Sequence, residues 1–114
     1  MQKLSEPRML PLRYDPFIND YVSFVREYML AELKNVDCKV FLFGSRAKNT
    51  NHRFSDIDVG ILFLDDKVHF EAEHISDHIN NESFVPVKVE VVDFKYTDPT
   101  FREKTMKNVI WWKE

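Results

Sequence analysis

The sequence predicts an α+β domain: a small mixed β-sheet with helices packed on one face. Three observations predict it. Apolar residues make up 44% of the 114-residue chain, enough to bury a core. Two segments carry apolar residues at helical spacing, and three short runs rich in Val, Ile and Phe read as strands. The connections set the pairing. A polar link of roughly ten residues between the first two strands suits an antiparallel or loosely connected pair. The helix between the second and third suits a crossover.

Each element follows from its residues, within a single domain over 1–114. Residues 1–14, with two prolines and mixed charge, read as an irregular arm. Asp15 is an expected N-cap, with Pro16 at the first helical position. Phe17, Tyr21, Phe24 and Tyr28 form one apolar line on the helix that follows, and Ile18, Val22, Val25, Met29 and Leu33 form another. So wide an apolar face is expected to pack on a sheet. Lys39 to Phe43 reads as the first strand, ended by Gly44. Residues 46–54 are polar and basic and read as a short helical turn plus loop. Asp56 to Leu64 is the second strand, and Asp65 or Asp66 can cap the helix after it. Val68, Ala72, Ile75 and Ile79 form that helix's apolar stripe. Val87 to Val92 is the third strand. Asp98-Pro99 starts a last helix running to about Lys107, and Val109 to Trp112 reads as a short strand.

Composition narrows the function. The formal net charge of −3 argues against an extended nucleic-acid surface. Cys38 is the single cysteine, so no internal disulfide forms, and a buried inert thiol in a reducing cytoplasm is expected. The first residues, MQKLSEPRML, lack the apolar run of a signal peptide, and no segment has the length of a membrane span.

Side chains alternate along a strand, so Asp56 and Asp58 share one face while Ile57, Val59 and Ile61 point to the core. Two carboxylates on one face repel unless a cation sits between them. A hard divalent ion such as Mg²⁺ suits carboxylate and phosphate oxygens. Asp-x-Asp alone arises often by chance and equally fits a solvated strand edge. Gly44-Ser45 adds a second feature: a backbone able to approach a ligand closely, and a hydroxyl and N–H groups that suit phosphate. Arg46, Lys48 and Arg53 add positive charge nearby. Glu90 supplies a third carboxylate in mid-strand, where acids are depleted. If the third strand lies beside the second, all three converge. Asp93 has the opposite parity and reads as a strand terminator. His74 and His78 stand four residues apart, but without a third ligand they read as a solvated helix face.

GSRAKNTNHRFSDID followed by VKVEVVDF resembles the minimal nucleotidyltransferases of the DNA polymerase β superfamily. The resemblance runs from the first helix to TDPTFREKTMKN. It implies the palm-like nucleotidyltransferase fold and transfer of a nucleotide from a nucleoside triphosphate. By that resemblance Gly44 and Ser45 hold the β- and γ-phosphates, and Arg46 neutralises triphosphate charge. Asp56, Asp58 and Glu90 are the catalytic and metal-binding residues, with two Mg²⁺ ions and ATP as substrate. The family commonly has aspartate where this chain has Glu90, and the longer side chain implies metal binding with weakened turnover. A glycine is common at the place of Asn49.

Small members of the family resemble the antitoxin half of a toxin–antitoxin pair whose partner is a helical HEPN protein. There the transferase moves AMP onto a tyrosine of the toxin. The resemblance therefore implies a hetero-oligomer in the cytoplasm, with the partner as acceptor. The chain's size agrees, because 114 residues leave little room for an acceptor-binding domain. The alternative is a catalytically weak, nucleotide-binding antitoxin that neutralises its partner by contact. Val109-Ile110-Trp111-Trp112 reads either as partner-facing or as a packed edge strand.

Overall fold

A computed structural model describes residues 21–64, 72–82 and 85–114. The expected arm over 1–14, the Asp15-Pro16 helix start and the Asp65 or Asp66 cap lie outside the described residues. Within them the chain runs α1 (Tyr21–Glu32), β1 (Cys38–Phe43), β2 (Ile57–Phe63), α2 (Ala72–Glu82), β3 (Val89–Asp93), α3 (Pro99–Thr105) and β4 (Ile110–Lys113). Two 3₁₀ turns, Phe94–Tyr96 and Met106–Asn108, bracket α3. The four strands form one sheet in the order β3-β2-β1-β4. β1 pairs antiparallel with β2 and with β4, and β2 pairs parallel with β3, so the sheet is mixed.

Alternation along the strands divides the core in two. Val40 and Leu42 of β1, Ile57, Val59 and Ile61 of β2, and Val89 and Val91 of β3 face α1 and α2. Val25, Met29 and Leu33 from the first helical segment and Ile75 and Ile79 of α2 meet them, all at 5% exposure or less. Burying each such side chain stabilises the fold by about 1.5–3 kcal/mol. The opposite residues of β1, Phe41 and Phe43, require cover of their own. They receive it from Phe94 in the first 3₁₀ turn, whose ring meets Phe41 edge-on at 4.9 Å and Phe43 at 5.1 Å. Phe101 of α3 stacks on Phe94 at 5.9 Å, and Trp111 meets Phe41 at 5.3 Å. The two longer helices thus cover one face as expected, and the short α3 adds to the other. The Asp98 carboxylate accepts from Phe101 N–H, the cap the sequence announced.

Side chains finish what the backbone ladder leaves open. The outer edge of β3 is closed by α2: the Asn80 amide exchanges two hydrogen bonds with the Val89 backbone, at 2.8 and 2.9 Å. The Ser76 hydroxyl accepts from Val91 N–H at 2.7 Å. An edge strand closed this way offers fewer groups for pairing with another chain. At the other side of the sheet, Lys113 Nζ donates to the Leu33 and Val36 carbonyls at 2.9 and 2.6 Å, satisfying groups left over at the end of α1. β4 is an edge strand in which Trp112 packs against the α1-side core, while Ile110 and Trp111 are exposed, Trp111 also meeting the Phe41 ring.

Gly60 lies in the middle of β2, opposite Phe41. A Cβ there would collide with the Phe41 ring and stand 2.8 Å from Phe94 Cε1. The aromatic layer therefore sits directly on bare backbone. Gly60→Val should destabilise the domain by about 1–3 kcal/mol through overpacking, despite valine's better strand propensity. Urea unfolding of the two proteins checks it, and an equal or higher midpoint for the variant would contradict this packing.

Candidate active site

The site is built at the end of β1 and the start of β2, on the sheet face that also carries the phenylalanines. Phe43 pairs with Asp58 across the antiparallel ladder, and Asp58 pairs with Glu90 across the parallel one. Asp58 therefore has a neighbour on each side: the last residue before Gly44, and the third carboxylate. Asp56 lies two residues earlier, before the ladder begins, and is exposed. Ile57 between them is fully buried under α1 and α2, which turns Asp58, the next residue in the strand, to the opposite face. The structure thus brings Gly44, Asp58 and Glu90 together, with Asp56 at the edge.

Gly44 adopts φ +81°, a conformation that L side chains rarely take. It also lies hard against the carboxylate: a Cβ here would strike Asp58 Oδ2 and stand 3.2 Å from its Cγ. Conformation and close approach both exclude a side chain. The Gly44 carbonyl accepts from Ala47 and Lys48 N–H at 3.1 and 3.2 Å, closing a tight turn over residues 45–49. The expected helical turn is thus a hydrogen-bonded turn without a helix. The Ser45 carbonyl accepts from Thr50 N–H at 2.9 Å. Asn49 closes the turn at φ 60°, the left-handed region that Asn tolerates better than most residues.

Electrostatics single out Asp58. Burial raises its pKa above the usual carboxylate range, the charges of Asp56 and Glu90 raise it further, and Lys88 partly opposes them. Like charges crowded around a half-buried carboxylate make the environment a cation relieves. The donors are all carboxylate oxygens, which suits a hard divalent ion rather than a soft one. Among the described residues, no three His, Cys, Asp or Glu side chains are already arranged to hold a metal ion. The three carboxylates are neighbours along the sheet, not a finished coordination shell.

The other residues take structural places. Asp93 accepts from Lys95 N–H and caps the 3₁₀ turn, as a strand terminator should. His78 is half-buried and stacks on Tyr28 of α1 at 5.8 Å, joining the two helices, while His74 is exposed on the helix face. Cys38 is buried, and burial raises its thiol pKa, so it stays protonated and inert. Arg46 donates through Nε and Nη2 to the Ser55 carbonyl. A groove of about 730 Å³ follows the outer edge of β3, lined by Lys88, Glu90, Asp93 and Tyr96 and by Ser76 and Asp77 of α2. It borders the site at Glu90, and neither Asp58 nor the Gly44 turn lines it. The sequence places Lys88 on the face of Glu90 without giving it a role, and the closing pair Ser76 and Asn80 carries no sequence signal.

No helix among the described residues is long and apolar enough to cross a membrane. No curated protein matches the chain. Solved structures share its fold, two toxin–antitoxin chains among them. A chain of a toxin-antitoxin crystal structure with AMP-PNP superposes with a TM-score of 0.60 at 19% identity, covering 76% of this chain and 71% of that one. A chain of a mutant of the toxin-antitoxin MntA-HpeT gives 0.59 at 16% identity, covering 76% and 70%. The family model described as "Polymerase beta, Nucleotidyltransferase" matches residues 27–113, which span the turn, all three carboxylates and the whole sheet. The chain therefore belongs to the polymerase β nucleotidyltransferase family.

Proposed function

We propose that this protein is a Mg²⁺-dependent transferase that moves AMP from ATP onto a hydroxyl of a partner protein, a helical HEPN-type toxin. The observation that carries the reading is the placement of Asp58. It sits against the bare Gly44 backbone on one side and in register with Glu90 on the other. A phosphate held at the turn and carboxylates along β2 and β3 then meet at one point. The AMP-PNP complex and the toxin–antitoxin setting of the structural neighbours support an adenine nucleotide and a toxin partner, and the HEPN class of that toxin rests on the sequence resemblance.

Each residue has a task in that reading. The Gly44-Ser45 turn offers N–H groups and the Ser45 hydroxyl to the outer phosphates. Asp56, Asp58 and Glu90 would hold two Mg²⁺ ions. Bound there, such ions neutralise charge on the entering and leaving oxygens of an in-line displacement. The acceptor hydroxyl oxygen forms a bond to the α-phosphorus, and the bond to the pyrophosphate oxygen breaks. Glu90 orients the acceptor hydroxyl and takes its proton. Its extra methylene relative to aspartate slows that step, because catalytic geometry tolerates only about 0.5 Å.

Three measurements test this. With α-labelled ATP, Mg²⁺ and the partner, Asp56→Asn and Asp58→Asn should each lower label transfer by at least about 10²-fold, in line with lost electrostatic stabilisation. Transfer surviving in both would remove the assignment. A stable complex that silences the toxin without any label would replace it with neutralisation by contact. Glu90→Asp should raise kcat, and a fall would show that Glu90 is already the optimal length. The third test concerns stability without metal. Asp58 has a raised pKa in the folded chain, so the folded state binds its proton more tightly than the unfolded state does. The resulting stabilisation is present below the unfolded value of about 3.9 and is lost as pH rises through the folded value. Near neutral pH the charged carboxylate therefore destabilises the fold, and in EDTA Asp58→Asn should melt higher than wild type. That advantage should shrink as pH falls. Thermal melts against pH would show it, and a lower melting point for Asp58→Asn at pH 7 would contradict it.

A further inference from the structure

Arg46 reads in the sequence as a charge for triphosphate, but its hydrogen bonds give it different work. Its Nε and Nη2 both donate to the Ser55 carbonyl, at 3.2 and 3.0 Å. Two donors of one guanidinium on one oxygen make a directional, charge-assisted contact. Ser55 is fixed at its other groups too. Its N–H donates to the His52 carbonyl at 3.0 Å, and its hydroxyl accepts from His52 N–H at 2.9 Å. The His52 ring in turn accepts from Phe54 N–H through Nδ1 at 3.2 Å. Residues 52–55 therefore form a small closed knot, and the Arg46 side chain ties it to the Gly44 turn.

The knot stands immediately before Asp56, and the two aspartates are held by different means. Asp58 is inside the ladder, paired on both sides. Asp56 is exposed and outside it. On its C-terminal side the chain is anchored by Ile57 N–H on the Lys88 carbonyl at 2.9 Å. On its N-terminal side the anchor is Ser55, and Ser55 is held by Arg46. We propose that Arg46 is a positioning residue: by clamping the Ser55 carbonyl it sets the direction of Asp56 and makes the phosphate turn and that carboxylate move as one unit. The inference rests on the function proposed above and assigns Arg46 a role other than a direct triphosphate ligand.

Arg46→Lys separates the two roles, because it keeps the charge and loses the two-donor fork. Three readouts are compared in wild type, Arg46→Lys and Arg46→Ala. They are amide hydrogen exchange at Ser55 without ligand, Mn²⁺ affinity in the presence of a non-hydrolysable ATP analogue, and steady-state transfer to the partner. Both variants should exchange the Ser55 amide at least about tenfold faster. Both should lose about 10–100-fold in Mn²⁺ affinity and in kcat, the range for removing a partner that orients a metal ligand. KM for ATP at saturating Mg²⁺ should stay within about threefold, because neither variant removes a group that touches the triphosphate in this reading. A tenfold rise in KM with kcat preserved, restored by lysine, would make Arg46 a triphosphate ligand and overturn the proposal. Unchanged Ser55 exchange or unchanged Mn²⁺ affinity in Arg46→Ala would overturn it too. If wild type itself transfers no nucleotide, the proposed function fails, and the exchange and Mn²⁺ readouts still decide on the clamp.

Discussion

The register of β2 is the constraint on which the rest depends. Asp58 stands opposite Phe43 on one side and Glu90 on the other, and both relations follow from where β2 enters the sheet. A strand's side-chain period is two, so a slip of one residue would exchange its faces. Ile57, Val59 and Ile61 would turn from the core to the site, and Asp56 and Asp58 into the apolar layer under α1 and α2. The burial of those three apolar residues, all at 0% exposure, therefore holds Asp58 outward. Core packing and site geometry are two consequences of one alternation.

The same face explains the chain's sparing use of glycine. There are only two, Gly44 and Gly60, and both meet a neighbour where a side chain would stand. At Gly44 the neighbour is the Asp58 carboxylate, and at Gly60 it is the ring of Phe41. The two positions mark the polar and apolar halves of one surface. Phe41, Phe43 and Phe94 press on β2 from above its bare backbone. A few residues along the same strand, the carboxylates stand on the turn side. A half-buried charge beside an aromatic layer is poorly solvated, which is the main reason that Asp58 resists ionisation.

Much of this was legible because it is periodic. Alternation gave the aspartates' shared face, the buried Ile57, Val59 and Ile61, and Glu90 on the matching face of β3. Connection length gave one antiparallel and one parallel pairing. Asp98-Pro99 announced α3 through local chemistry. What escaped is made of side chains that bond to distant backbone. Asn80 to Val89, Ser76 to Val91 and Lys113 to Leu33 span 9, 15 and 80 residues. No pattern marks such pairs, because each depends on where two elements come to rest. The fork of Arg46 on Ser55 belongs to the same class. His78 is similar: i, i+4 spacing describes its own helix, whereas the Tyr28 ring on α1 decides its surroundings.

The carboxylates of the candidate site differ in how much freedom their supports leave. Asp58 is fixed by ladders on both sides. The backbone of Glu90 cannot withdraw from it, because Asn80 and Ser76 fasten the flanking Val89 and Val91 to α2. A glutamate at this place brings its carboxylate farther out by one methylene, and neither strand can move to restore the spacing. Adjustment is left to the side-chain torsions of Glu90 and to Asp56, which stands on a loop rather than in a strand. A loop carboxylate can adapt only if its support is neither loose nor locked in the sheet. A short knot, closed by hydrogen bonds and tied to the phosphate turn by one guanidinium, is a support of that intermediate kind. The identity of residue 90 and the bracing of residue 56 are therefore coupled through geometry, although nothing in the described structure bonds one to the other.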